Sequence, residues 1–169
     1  MASNVSDGVP PFRNYSLQRS QTPNHKYDFR TNMPTPPPPT PQELKKIARS
    51  RLQESEILFS NRKYDAAVYL SGYAIELALK TRICKTLRWS QFPETSIKNP
   101  QTFKTHHLET LLGLSGIEDK VKSVSHAEWT MVTQTIKWNP EIRYDRIGSR
   151  TKQDATNMLN SVKTLLKTL

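Results

Sequence analysis

The chain has 169 residues, a length that suits one domain, with a formal net charge of +10, a pI near 9.8 and 35% hydrophobic residues. The positive balance points to nucleic acid or another polyanion rather than to an acidic substrate pocket. A lone cysteine, Cys84, excludes an internal disulfide and fits a reducing cytoplasm, and no stretch is long and apolar enough for a transmembrane segment or a secretory signal.

Residues 1–40 are rich in Pro, Ser, Thr and Asn and culminate in Pro34-Thr35-Pro36-Pro37-Pro38-Pro39-Thr40-Pro41. Such a run favours polyproline II and admits neither helix nor central strand. With no periodic apolar pattern upstream, residues 1–40 read as a disordered or extended tail. Residues 41–169 read as an all-α domain, a four- to five-helix up-and-down bundle.

Thr40, Pro41 and Glu43 form a capping box with proline at the first helical position. The helix they start carries Leu44, Ile47, Ala48, Leu52 and Ile57 or Leu58 inward and ends near Ser60-Asn61. After a short turn comes a second helix from Tyr64 to Lys85, which must pack antiparallel to the first. It is apolar on most of its circumference. Ala66, Ala67, Leu70, Ala74, Leu77 and Ala78 share one face, and Tyr69, Tyr73 and Ile83 line another. A helix of this kind sits at the centre of a bundle, so Glu76 within it must be paired, and Lys80 stands at the helical i, i+4 spacing.

Trp89 to Lys104 reads as a loop, broken by Pro93 and Asn99-Pro100. Thr105 is placed to cap a short helix with Leu108, Leu111 and Leu112 inward, ended by Gly113 and Gly116. Ile117 to Val124 reads as a further helical turn. Ser125 with Glu128 reads as a capping box for a helix through Trp129, Val132 and Ile136 that Asn139-Pro140 stops. Glu141 to Arg150 is a polar loop. The last helix puts Ala155, Met158, Leu159, Val162, Leu165, Leu166 and Leu169 on one face.

Three segments in order carry a resemblance: Tyr64-Asp65-Ala66-Ala67 running into Ala74-Ile75-Glu76-Leu77-Ala78-Leu79-Lys80, then Thr105-His106-His107-Leu108, then Trp138-Asn139-Pro140-Glu141-Ile142-Arg143-Tyr144. Together they resemble a HEPN domain. The resemblance implies a helical bundle that works as a homodimer on RNA or a nucleotide, as in prokaryotic defence and toxin–antitoxin modules. Many members are metal-independent ribonucleases with an Arg followed four to six residues later by a His. This chain departs from that signature: Tyr144-Asp145-Arg146-Ile147-Gly148-Ser149 follows Arg143, with no His.

The candidate catalytic residues are Glu76, Lys80 and Arg143, with Arg143 and Lys80 on a phosphate and Glu76 as base or orienting group. Tyr144, Arg146, His106 and His107 are the candidate substrate-binding residues. The competing reading makes the Glu76–Lys80 pair a structural tie between the long helix and the last loop. His25, His106, His107 and His126 lack zinc-type spacing, so neither metal nor other cofactor is expected. The partners expected are RNA or a nucleotide, a second copy of the chain, and no membrane. The alternative to an RNA-engaging enzyme is a non-catalytic dimeric module whose Pro-rich tail recruits a partner protein or a nucleotidyltransferase.

Overall fold

The computed structural model describes residues 36–94, 96, 98 and 100–169. The expected tail therefore lies, over residues 1–35, outside the described residues. Among the described residues the chain is all-helical, as its periodicity indicates. Six α-helices follow in order: α1 (Pro41–Ser60), α2 (Tyr64–Leu87), α3 (Leu108–Ser115), α4 (Glu118–Val124), α5 (His126–Thr130) and α6 (Lys152–Thr168). A π turn over Met131–Thr135 continues α5, and 3-10 turns occupy Pro100–Lys104 and Pro140–Tyr144.

Helix α2 is the hub. It packs against α1, α3, α6 and the Pro140–Tyr144 turn. Its buried residues include Ala67, Val68, Ala74, Ile75, Leu79, Ile83 and Cys84, spread around the helix rather than along one stripe. This is what an apolar circumference requires, because each face then needs a neighbour. Ala66, expected inward, is exposed in the first turn, and Leu77 and Ala78 are half-buried. Helix α6 is amphipathic and buries Ala155, Met158, Leu159, Val162 and Leu165. In α1, Leu44 and Ala48 are buried and Leu52 and Phe59 pack on the core, whereas Ile57 is 64% exposed.

The Thr40 capping box is present: Thr40 Oγ1 accepts from the Glu43 amide at 3.2 Å, and Glu43 accepts from the Thr40 amide at 2.7 Å. Just before it, the Pro39 carbonyl accepts from the Phe92 amide at 2.9 Å. A second capping box at Thr151 and Asp154 starts α6. Two expected caps are replaced. Ser125 makes no cap bond, because its hydroxyl meets Thr168 Oγ1 at 2.8 Å and ties α5 to the end of α6. The cap of α3 is His107, whose Nδ1 accepts from the Thr110 amide at 3.3 Å, while Thr105 Oγ1 accepts from the His107 amide. A hydroxyl two residues too early cannot reach the orphan amides of the first turn, and the imidazole can. Gly116 closes α3 with φ +70°, as its position implies.

Candidate functional site

Gly72, Glu76 and Lys80 stand at i, i+4 and i+8 on α2 and so share one face. Each receives a different part of the chain. Trp138 packs directly against Gly72, where a Cβ would come within 2.0 Å of the indole. Its Nε1 donates to the Tyr69 carbonyl at 2.9 Å. Only a residue without a side chain lets the ring approach the helix this closely.

One turn on, Glu76 is buried, with a side chain 3% exposed. Lys80 Nζ donates to Glu76 Oε1 at 2.6 Å. The Lys80 ammonium also lies 5.5 Å from the centroid of the Phe92 ring. From the segment before α3, His106 Nδ1 meets both carboxylate oxygens, at 2.9 and 3.0 Å. A carboxylate accepts, so Nδ1 carries the proton and, in the neutral ring, Nε2 is the free base. The imidazole is 53% exposed while its carboxylate is not. Glu76 thus faces one histidine and one lysine, which satisfies its buried charge on both sides.

His106 opens onto a cleft of about 470 Å³ whose rim includes His107, Gln134, Asn139 and Arg143. The π turn Met131–Thr135 shapes one wall, with Thr133 and Gln134 lining the cleft. The Ile136 amide reaches the Met131 carbonyl, and Lys137 takes φ +55°, which turns the chain and drives Trp138 onto Gly72. Asn139 then caps the 3-10 turn, accepting from the Glu141 amide at 2.9 Å, and so sets where Arg143 emerges.

Arg143 Nη2 donates to Glu141 at 3.4 Å, a long exposed contact, and the guanidinium lies 4.7 Å from the Tyr144 ring. Tyr144 first, then Tyr69, hold the guanidinium above its ordinary value, so it stays charged at every working pH. Tyr69 and Tyr73 share a hydroxyl contact at 3.2 Å. Burial first, then Tyr69 and the Glu76 charge, push the Tyr73 phenol up to about 12, so it remains neutral. Its ring packs edge-on against both His106 and Trp138. Asp65 at the start of α2 accepts from the Gly148 and Arg150 amides, both at 2.7 Å, and anchors the polar loop.

The structure brings together Glu76, Lys80 and His106 as a bonded triad, with His107 and Arg143 on the same cleft. It does not bring Arg143 onto Glu76, which an orienting role of Glu76 towards Arg143 would require: the ion pair of Arg143 is with Glu141. Tyr144 is exposed and stacks on Arg143, and Arg146 lies outside the cleft lining. Gln134 and Asn139 line the cleft, and Gly72 and Tyr73 pack against the Trp138 that forms part of it, roles that sequence reasoning missed; Asn139-Pro140 marks a turn in the sequence, but nothing marks the π turn. Among the described residues, no group of three or more His, Cys, Asp or Glu is placed to hold a metal ion, and no helix is long and apolar enough to cross a membrane.

The model of the HEPN domain family matches residues 41–169, the whole helical bundle from the first residue of α1. No curated protein and no solved structure matches the chain.

Proposed function

The chain belongs to the HEPN domain family, and on that premise we propose that it engages RNA in the His106–Arg143 cleft and cleaves it as a metal-independent endoribonuclease with a non-standard site. The observation that carries this reading is the grip of His106 Nδ1 by both oxygens of buried Glu76 at the edge of an open cleft. A carboxylate that fixes one ring nitrogen presents the other as an oriented base, the logic of a histidine–carboxylate dyad.

In the proposed step, His106 Nε2 takes the proton of a ribose 2′-hydroxyl. The 2′-oxygen attacks the adjacent phosphorus, the bond from phosphorus to the 5′-oxygen breaks, and a 2′,3′-cyclic phosphate forms. The leaving 5′-oxygen takes a proton from water in the cleft. Arg143 holds the non-bridging oxygens, where a planar guanidinium matches phosphate geometry and opposes the developing charge. Glu141, held only at 3.4 Å, is displaced from Arg143 by the phosphate. Lys80 keeps Glu76 paired whether or not His106 is protonated. A base of this kind contributes about 10²–10⁴-fold. The family setting for such an activity is a prokaryotic defence or toxin–antitoxin module, with the chain acting as a homodimer.

The test is cleavage and binding of end-labelled total RNA and tRNA in chelator, with His106→Gln and Arg143→Ala alongside the parent. The expected outcome is cleavage to 2′,3′-cyclic ends, abolished by His106→Gln with binding retained, and weakened binding in Arg143→Ala. Binding without cleavage in the parent refutes the enzymatic step and leaves a binding module. Binding indifferent to Arg143→Ala refutes the cleft.

A further inference from the structure

On the side of α2 away from Glu76 and Lys80, a second groove of about 230 Å³ runs between α1, α2 and the end of α6. Lys45 and Arg49 from α1, Lys85 from α2 and Lys167 from α6 surround it, and all four are exposed. Its floor is mostly apolar, made by Ala48, Ala78 and Leu166 with Leu169 at one end, and by Thr81, whose hydroxyl donates to the Leu77 carbonyl. Among the described residues seven ion pairs form and none includes any of these four cations. Lys45 and Arg49 stand at i, i+4, where like charges weaken a helix. Their clustering is therefore not explained by the stability of α1.

We propose that this groove docks an acidic amphipathic segment of a partner protein, with an aliphatic side chain on the Ala48–Ala78 floor and carboxylates on the four cations. Charge complementarity selects the occupant. A second copy presenting the same groove across a two-fold axis would set cation against cation. The chain's own residues 1–35 carry Arg13, Arg19, Lys26 and Arg30 against Asp7 and Asp28 and are basic too. A single-stranded nucleic acid adds base stacking on aromatic platforms to its phosphate contacts, and no ring lines this groove. Small alanines in the floor leave room for a leucine-sized side chain, which offers nothing to a phosphate and much to an amphipathic helix.

The experiment uses the full chain and a fluorescein-labelled helical peptide of roughly 16 residues built from Glu and Leu, with Leu at i, i+3 and i+4 spacing to give one apolar face. A scrambled peptide of the same composition and a single-stranded RNA of similar length are the comparison probes. The expected result is anisotropy-detected binding of the patterned peptide that falls about tenfold or more in Lys45→Glu/Arg49→Glu, and equally in the uncharged floor-filling variant Ala78→Phe. Circular dichroism confirms that both variants fold. RNA cleavage by both variants should match the parent, which separates this groove from the His106 cleft. Equal binding of the scrambled peptide, insensitivity to Ala78→Phe, or RNA binding lost in the charge-reversed variant would each overturn the proposal.

Discussion

Gly72→Ala sets two opposing effects against each other. Alanine in a helix interior normally gains about 0.5–1 kcal/mol over glycine through backbone entropy. At this position the new Cβ would sit 2.0 Å from Trp138 Cε2 and 2.1 Å from Nε1, far inside any real contact. The backbone of α2 is held by its neighbours on every side, so the indole has to leave. Trp138 is 5% exposed, and losing a buried tryptophan from its site costs about 3–5 kcal/mol. Its hydrogen bond to the Tyr69 carbonyl contributes about 1 kcal/mol more. The expected sum is a destabilisation of roughly 3–5 kcal/mol, opposite in sign to the propensity rule. Urea unfolding followed by far-UV dichroism measures it directly. Because Trp138 leads straight into the Asn139–Arg143 turn, RNA binding should fall as well. The same substitution in a Trp138→Ala background should be neutral or stabilising, since the obstacle is gone. A Gly72→Ala protein as stable as the parent, or a double mutant showing no coupling, would refute the packing argument.

Glu76→Ala should destabilise by about 3–5 kcal/mol, because it strands Lys80 in a buried setting, and it should also free His106 and abolish cleavage; urea titration and the RNA assay read the two effects. Asp65→Ala removes the acceptor of two backbone amides and should cost about 1–3 kcal/mol, with faster amide exchange at Gly148 and Arg150. The Thr151 amide first, and then its hydroxyl, hold the Asp154 carboxyl below its ordinary 3.8. Its contribution is therefore complete above that value and lost as pH falls through the lower folded one. The parent should lose stability in acid, and Asp154→Asn should show a shallower acid loss; an unchanged slope would contradict the cap. Burial pushes the Cys84 thiol up to about 11, so alkylation by iodoacetamide near neutral pH should be negligible until the protein unfolds.

Much of the fold was legible because its signals are local. Thr40, Pro41 and Glu43 determine where α1 starts, Gly116 where α3 stops, and the one-sided apolar stripe of α6 which face it buries. The all-round apolarity of α2 announced a central helix, and within it Glu76 and Lys80 announced a pair, because a buried carboxylate in a helix needs a cation within reach. What those residues left open is which distant groups complete the pair. His106 lies thirty positions along the chain from Glu76, and a loop residue's approach to a helix face depends on how α3 packs on α2, not on spacing. Likewise Ser125 spends its hydroxyl on Thr168 instead of a cap, and Arg143 faces Glu141 and Tyr144 rather than Glu76. The sequence alone determined the helices, the hub and the buried pair, since these follow from periodicity and the cost of burying charge. Only the tertiary structure decided that Gly72 admits Trp138, that the π turn aims the Asn139–Arg143 segment, and that a histidine closes over the Glu76 carboxylate, because those contacts are set by packing between elements far apart in the chain.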